Sequence, residues 1–123
     1  MPTKTSHFQK NVQKNVQKKV LVLGAGNFGT CLANHLAIEG HDVSLWARSR
    51  EVVESINKER KNPKYLSTIT LAPTLRAINT LDASTFNDLH ALIVAVPMQA
   101  MRNVLTPIAQ HLGRVSQNAK RVC

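Results

Sequence analysis

The chain has 123 residues, a hydrophobic content of 43% and a formal net charge of +9 at pH 7. That length suits one domain with a real core, the composition excludes global disorder, and no apolar run approaches the ~18 residues of a membrane span. Two cysteines, Cys31 and Cys123, form no close pair and no Cys-x-x-Cys, which argues against a disulfide framework or a zinc site and fits a reducing, cytoplasmic setting.

The opening stretch MPTKTSHFQKNVQKNVQKK lacks the apolar segment and small-residue cleavage site of a secretory signal. Lys4, Lys10, Lys14, Lys18 and Lys19 occur there without an acid, so much of the net charge lies in the tail and at the very start of the first strand. With one aromatic, Phe8, and no arginine, the stretch is poorly equipped to stack on bases, which argues against a nucleic-acid partner. Phe8, Val12 and Val16 share a helical face through a four-residue repeat, but the β-branched and Asn residues make a short isolated helix marginal. Residues 1–17 are read as a flexible basic tail, and residues 18–123 as the folded domain.

Lys19 to Leu23 is a continuous apolar run of strand length, the pattern of a strand buried on both faces. From Asn27 the period becomes helical: Gly29, Leu32, Ala33, Leu36 and Ala37 form one stripe, and Gly40 supplies the stop. A second strand follows over Asp42 to Trp46. Ser49 then caps a helix whose Val52, Val53 and Ile56 face inward, closed by Asn62-Pro63. Residues 63–74 read as an irregular connection, Leu75 to Thr80 as a short strand, and Asp82 to Leu89 as a short helical segment. Ala91 to Val96 is the clearest strand. Pro97 starts a helix with Met101, Val104, Leu105, Ile108 and Leu112 as its stripe, which Pro107 kinks or ends. Ala119 to Cys123 reads as the beginning of another strand. Alternating strands and helices predict an α/β fold, a Rossmann-like, doubly wound and mostly parallel sheet, incomplete at its end.

Between the first strand and first helix stands Gly24-Ala25-Gly26-Asn27-Phe28-Gly29, a G-x-G-x-x-G. Alone the pattern is weak, but its setting between a buried strand and an amphipathic helix is the required one. Gly24 permits the tight turn, Gly26 lets the backbone approach a pyrophosphate, and Gly29 brings helix and strand together, while free N–H groups at the helix start attract an anion. NAD-preferring folds place an acid about 20 residues further on. Here Arg48 lies 19 residues beyond Gly29. An arginine can pair with a 2′-phosphate or lie against adenine, so NADP is the expected cofactor, with NAD, FAD and other adenine nucleotides left open. Arg50 is the second cation nearby, with no direction assigned.

GAGNFGTCLANHLAIEGHDVSLWAR, INKERKNPKYL and IVAVPMQAMRNVL together resemble the N-terminal domain of NAD(P)-dependent glycerol-3-phosphate dehydrogenase, over about Lys18 to Ala109. The resemblance implies reversible reduction of dihydroxyacetone phosphate to sn-glycerol 3-phosphate, for glycerophospholipid synthesis. It puts Asn27 and Phe28 at the phosphate turn and Arg48 beside the adenine and its ribose. It matches Asn62-Pro63-Lys64-Tyr65-Leu66 to a characteristic loop, and Val96-Pro97-Met98-Gln99 to the loop near the nicotinamide. Cofactor binding is therefore expected at Gly24, Ala25, Gly26, Asn27, Phe28, Gly29 and Arg48.

Residues His111 to Cys123 match the family poorly, and the family's Lys-Gly-(Ile/Leu)-Glu segment and helical catalytic domain do not follow within the chain. No catalytic residue and no metal site is therefore expected in it. The five histidines have surface or structural roles, and Asp82 and Asp88 read as helix-end residues. Expected partners are a dinucleotide and, in the complete enzyme, a triose phosphate, with no membrane and with a homo-oligomer left open. Two other readings stand at this point: a non-catalytic dinucleotide-binding module, and another two-domain dehydrogenase such as a ketopantoate reductase.

Overall fold

The computed structural model describes residues 17–110 and 120–122. The expected tail therefore lies outside the described residues except for residue 17, as do Leu112 and Cys123. Five strands form one sheet in the order β3-β2-β1-β4-β5, all paired in parallel: β1 (Lys19–Leu23), β2 (Asp42–Trp46), β3 (Arg76–Ile78), β4 (Ala91–Val94) and β5 (Lys120–Val122). The helices are α1 (Asn27–Ile38), α2 (Arg50–Glu59) and α3 (Met98–Leu105), with 3-10 turns at Ala83–Phe86 and Thr106–Ile108.

The side-chain period of two divides the apolar residues between two layers. Val20 and Val22 of β1 join Val43 and Leu45 of β2 in a core completed by Ala33 and Ala37 of α1 and by Val52 and Ile56 of α2. Leu21 and Leu23 point the other way, into a core with Leu92, Val94, Phe86, Val104 and Ile108. Each fully buried leucine contributes roughly 1.5–3 kcal/mol. The continuous apolar run of β1 thus reflects its place in the middle of a sheet covered on both faces.

Local chemistry ends the helices as the sequence indicates. At the end of α1, the Gly40 N–H donates to the Ala37 carbonyl and the His41 N–H to that of Leu36, with Gly40 at φ +99. This is the paired bonding of a Schellman stop. Ser49 caps α2, its hydroxyl accepting from the Val52 N–H at 3.3 Å.

Three elements are shorter than expected. β3 runs only over Arg76–Ile78 because the Leu75 N–H is taken by the Ala72 carbonyl in a turn. Its outer edge is covered by Asn57, whose side chain donates to the Ala77 carbonyl and accepts the Ala77 N–H. Those groups are thereby withdrawn from pairing with another strand. Asp82 caps a 3-10 turn instead of an α-helix, and hydrogen bonds from the Ser84 and Thr85 hydroxyls and the Thr85 N–H hold its carboxyl below the ordinary range. β4 ends at Val94, which releases Ala95 and Val96 into the turn before α3. Pro97 is the residue preceding α3, and Pro107 sits in the 3-10 turn that succeeds it.

His35 is exposed, 3.6 Å from Glu39, and His41 accepts the Lys18 N–H through Nδ1. Neither takes part in a metal-binding group; none exists among the described residues. Among those residues there is also no helix long and apolar enough to cross a membrane.

Candidate functional site

The chain moves outward from β1 through β2 to β3, then returns to place β4 on the other side of β1. The crevice outside the carboxyl ends of β1 and β4 is the switch point at which open α/β sheets bind ligands. It opens into a cavity of about 670 Å³. The walls come from the turn after β1, the residues after β2, the segment after α2 and the turn after β4.

Two of the three glycines of the first turn have a steric reason. Gly24 sits at φ +114, and a Cβ there would lie 2.9 Å from the Ala95 backbone. A Cβ at Gly29 would lie 1.9 Å from the Gly24 carbonyl oxygen, because α1 crosses directly over the turn. Gly26 differs from both. Its φ of -80 and ψ of -165 suit any residue, and among the described residues a Cβ there would meet no atom within 4 Å. No contact among those residues demands glycine at 26, and the position lines the cavity.

Gly26 also precedes the first residue of α1, where no side chain caps the helix and no acid occupies the first turn. The first N–H groups of a helix carry partial positive charge and no intrahelical partner. Around them, among the described residues, the cavity walls include two cations, Arg48 and Lys64, and no Asp, Glu or His. The arrangement suits an extended, multiply anionic ligand with apolar ends.

Of the residues singled out from the sequence, Gly24, Ala25, Gly26, Asn27, Phe28 and Arg48 line this cavity. Gly29 is buried behind them, and Arg50 begins α2 without lining the cavity. Arg48 also lines a smaller adjoining space of about 330 Å³ with Trp46, Asn79 and Asn103. Phe28 is 62% exposed at the mouth. Pro97 lines the cavity, whereas Gln99 is exposed on α3 and does not.

Asn62, read from the sequence as a helix stop and as the first residue of a family-like loop but given no role in the site, is completely buried and links three parts of it. Its amide donates to the Ala25 carbonyl and to Thr30 Oγ1, both at 2.9 Å, while Oδ1 accepts the N–H groups of Lys64 and Tyr65. The Asn-Pro pair marked a turn but gave no sign of partners 32 and 37 residues away. Arg60 braces the same segment from α2, at φ +60, donating to the carbonyls of Ala72 and Leu75.

Parallel order, switch-point crevice and glycine turn define the Rossmann-like class of α/β domain. A family model described as the N-terminus of NAD-dependent glycerol-3-phosphate dehydrogenase matches residues 19–122. The chain belongs to that family. A curated glycerol-3-phosphate dehydrogenase [NAD(P)+] from Pseudomonas fluorescens is 44% identical over 95 residues, 77% of this chain and 28% of the relative. Among solved structures, glycerol-3-phosphate dehydrogenase from Coxiella burnetii aligns with a TM-score of 0.69 at 30% identity, covering 76% of this chain and 29% of that one. The Plasmodium falciparum enzyme aligns with a TM-score of 0.73 at 29% identity, covering 91% and 33%. The chain thus spans about a third or less of the proteins it matches.

Proposed function

We propose that the chain is the cofactor-binding part of an oxidoreductase that interconverts sn-glycerol 3-phosphate and dihydroxyacetone phosphate with NADP(H), supplying glycerophospholipid synthesis in the cytoplasm. The observation that carries this reading is the uncapped start of α1, preceded by a glycine that no contact among the described residues requires and flanked, among those residues, by two cations without an acid. The turn Gly24–Gly29 binds the pyrophosphate through backbone N–H groups. Arg48, on the wall beyond β2, pairs with the 2′-phosphate or the adenine face. The apolar surface of Phe28, Val96 and Pro97 shelters the nicotinamide half from water. Bound there, the nicotinamide supplies or accepts the hydride. With no His, Asp or Glu on the cavity wall among the described residues, this part binds and orients the cofactor and leaves the acid–base step to other residues. The triose phosphate is a partner of the complete enzyme, in which a homo-oligomer is compatible with the fold.

Trp46, the chain's single tryptophan, lines the cavity and provides a fluorescence reporter. NADPH is expected to quench it at lower concentration than NADH. Arg48→Ala should weaken NADPH binding by about tenfold or more, the value of a lost charge-assisted hydrogen bond, and leave NADH nearly unchanged. Equal affinities in the unmodified chain would refute the NADP preference; no saturable binding of either nucleotide would refute the reading itself.

A further inference from the structure

We propose that Lys64 is a second phosphate-binding cation of this site, held opposite the glycine turn by Asn62 and directed to the pyrophosphate common to NADH and NADPH. The inference rests on the dinucleotide reading above and adds a residue that the glycine motif does not contain.

The segment after α2 has no regular secondary structure, yet its start is fixed. Asn62 is 0% exposed, and its amide satisfies both donors and accepts two bonds on Oδ1. A buried side-chain amide bonded in this way is costly to displace, because every broken bond leaves a desolvated polar group. Two of those bonds attach to Ala25 and Thr30, the glycine turn and the first turn of α1. The other two hold the backbone N–H groups of Lys64 and Tyr65. One buried residue therefore ties the phosphate turn to Lys64, and both line the same cavity.

The charge at Lys64 serves no structural pairing among the described residues: the ion pairs there are His35 with Glu39 and Arg76 with Asp42. Among the described residues, no acid lines the cavity to neutralise it. Arg48 occupies the wall after β2, whereas Lys64 is tethered to the turn after β1. The two cations thus divide the cofactor: Arg48 reads the 2′-phosphate end, and Lys64 the pyrophosphate. A flexible ammonium with three donors suits that second task, since it follows a charge without demanding a planar fork.

This division makes the test specific. Dissociation constants for NADPH and NADH are measured by Trp46 fluorescence on the 123-residue chain, on Lys64→Ala and on Lys64→Arg, at two salt concentrations. The expected result is that Lys64→Ala weakens both nucleotides by the same factor, about tenfold, with a shallower salt dependence and an unchanged unfolding midpoint. Lys64→Arg should restore most of the affinity. Unchanged affinities in Lys64→Ala would overturn the assignment. So would a loss confined to NADPH, which would move Lys64 to the 2′-phosphate. Failure of the unmodified chain to bind either nucleotide would instead refute the dinucleotide reading, and this assignment with it.

Discussion

Replacing Gly26 with valine is expected to weaken nucleotide binding by roughly 100-fold while leaving the fold intact. The backbone at 26 already has the φ and ψ of an ordinary residue, and a Cβ meets no atom of the described residues within 4 Å. Loss of a helix-capping glycine and the reduced entropy of the unfolded chain act in opposite directions, so stability should change by no more than about 1 kcal/mol. The side chain would nevertheless occupy the space over the first N–H groups of α1. Losing two hydrogen bonds from those groups to a charged phosphate amounts to about 3 kcal/mol, or a fall in affinity of roughly 100-fold. Urea unfolding and NADPH titration of the same preparation check both halves.

Gly29→Ala, three residues further on, should do the reverse and damage the fold. Its Cβ would stand 1.9 Å from the Gly24 carbonyl oxygen and 3.1 Å from the carbonyl carbon. Both are backbone atoms of a turn that is itself packed on Ala95, with no flexible side chain to give way. Relief requires α1 to move away from the sheet, and Ala33 and Ala37 of that helix are buried in the core beneath it. Overpacking of this kind costs about 3 kcal/mol or more, a large share of the ~5–15 kcal/mol that stabilises a domain. The urea midpoint should fall sharply, or the chain should fail to fold; a midpoint equal to that of the parent would show that the helix can retreat at little cost. Of these two glycines of one motif, Gly29 is required by the fold, whereas Gly26 lines the cavity without a steric need among the described residues.

The sequence made the sheet legible because its apolar periods report burial directly. The uninterrupted run at Val20 to Leu23 and the alternation of Val43 and Leu45 record which faces of β1 and β2 are covered. Caps were legible for the same local reason: Ser49 and Gly40 act within a few residues of themselves. The extent of β3 and β4 was not. β3 is trimmed by a turn bond and bordered by Asn57, 20 residues away, and neither leaves a periodic trace. Ala95 and Val96 look like strand residues, but the chain must turn there to form the crevice wall. At the site, the glycine turn and Arg48 stood out through spacing. Asn62 did not, since its importance lies in partners brought to it by the fold, and Lys64 acquires its setting only through Asn62.

A crystal structure of the 123-residue chain with NADPH is the decisive measurement. The pyrophosphate is expected over Gly26 at the start of α1, with Arg48 at the 2′-phosphate. A nucleotide bound elsewhere, or a pyrophosphate making no contact with the turn from Gly24 to Gly29, would contradict this expectation.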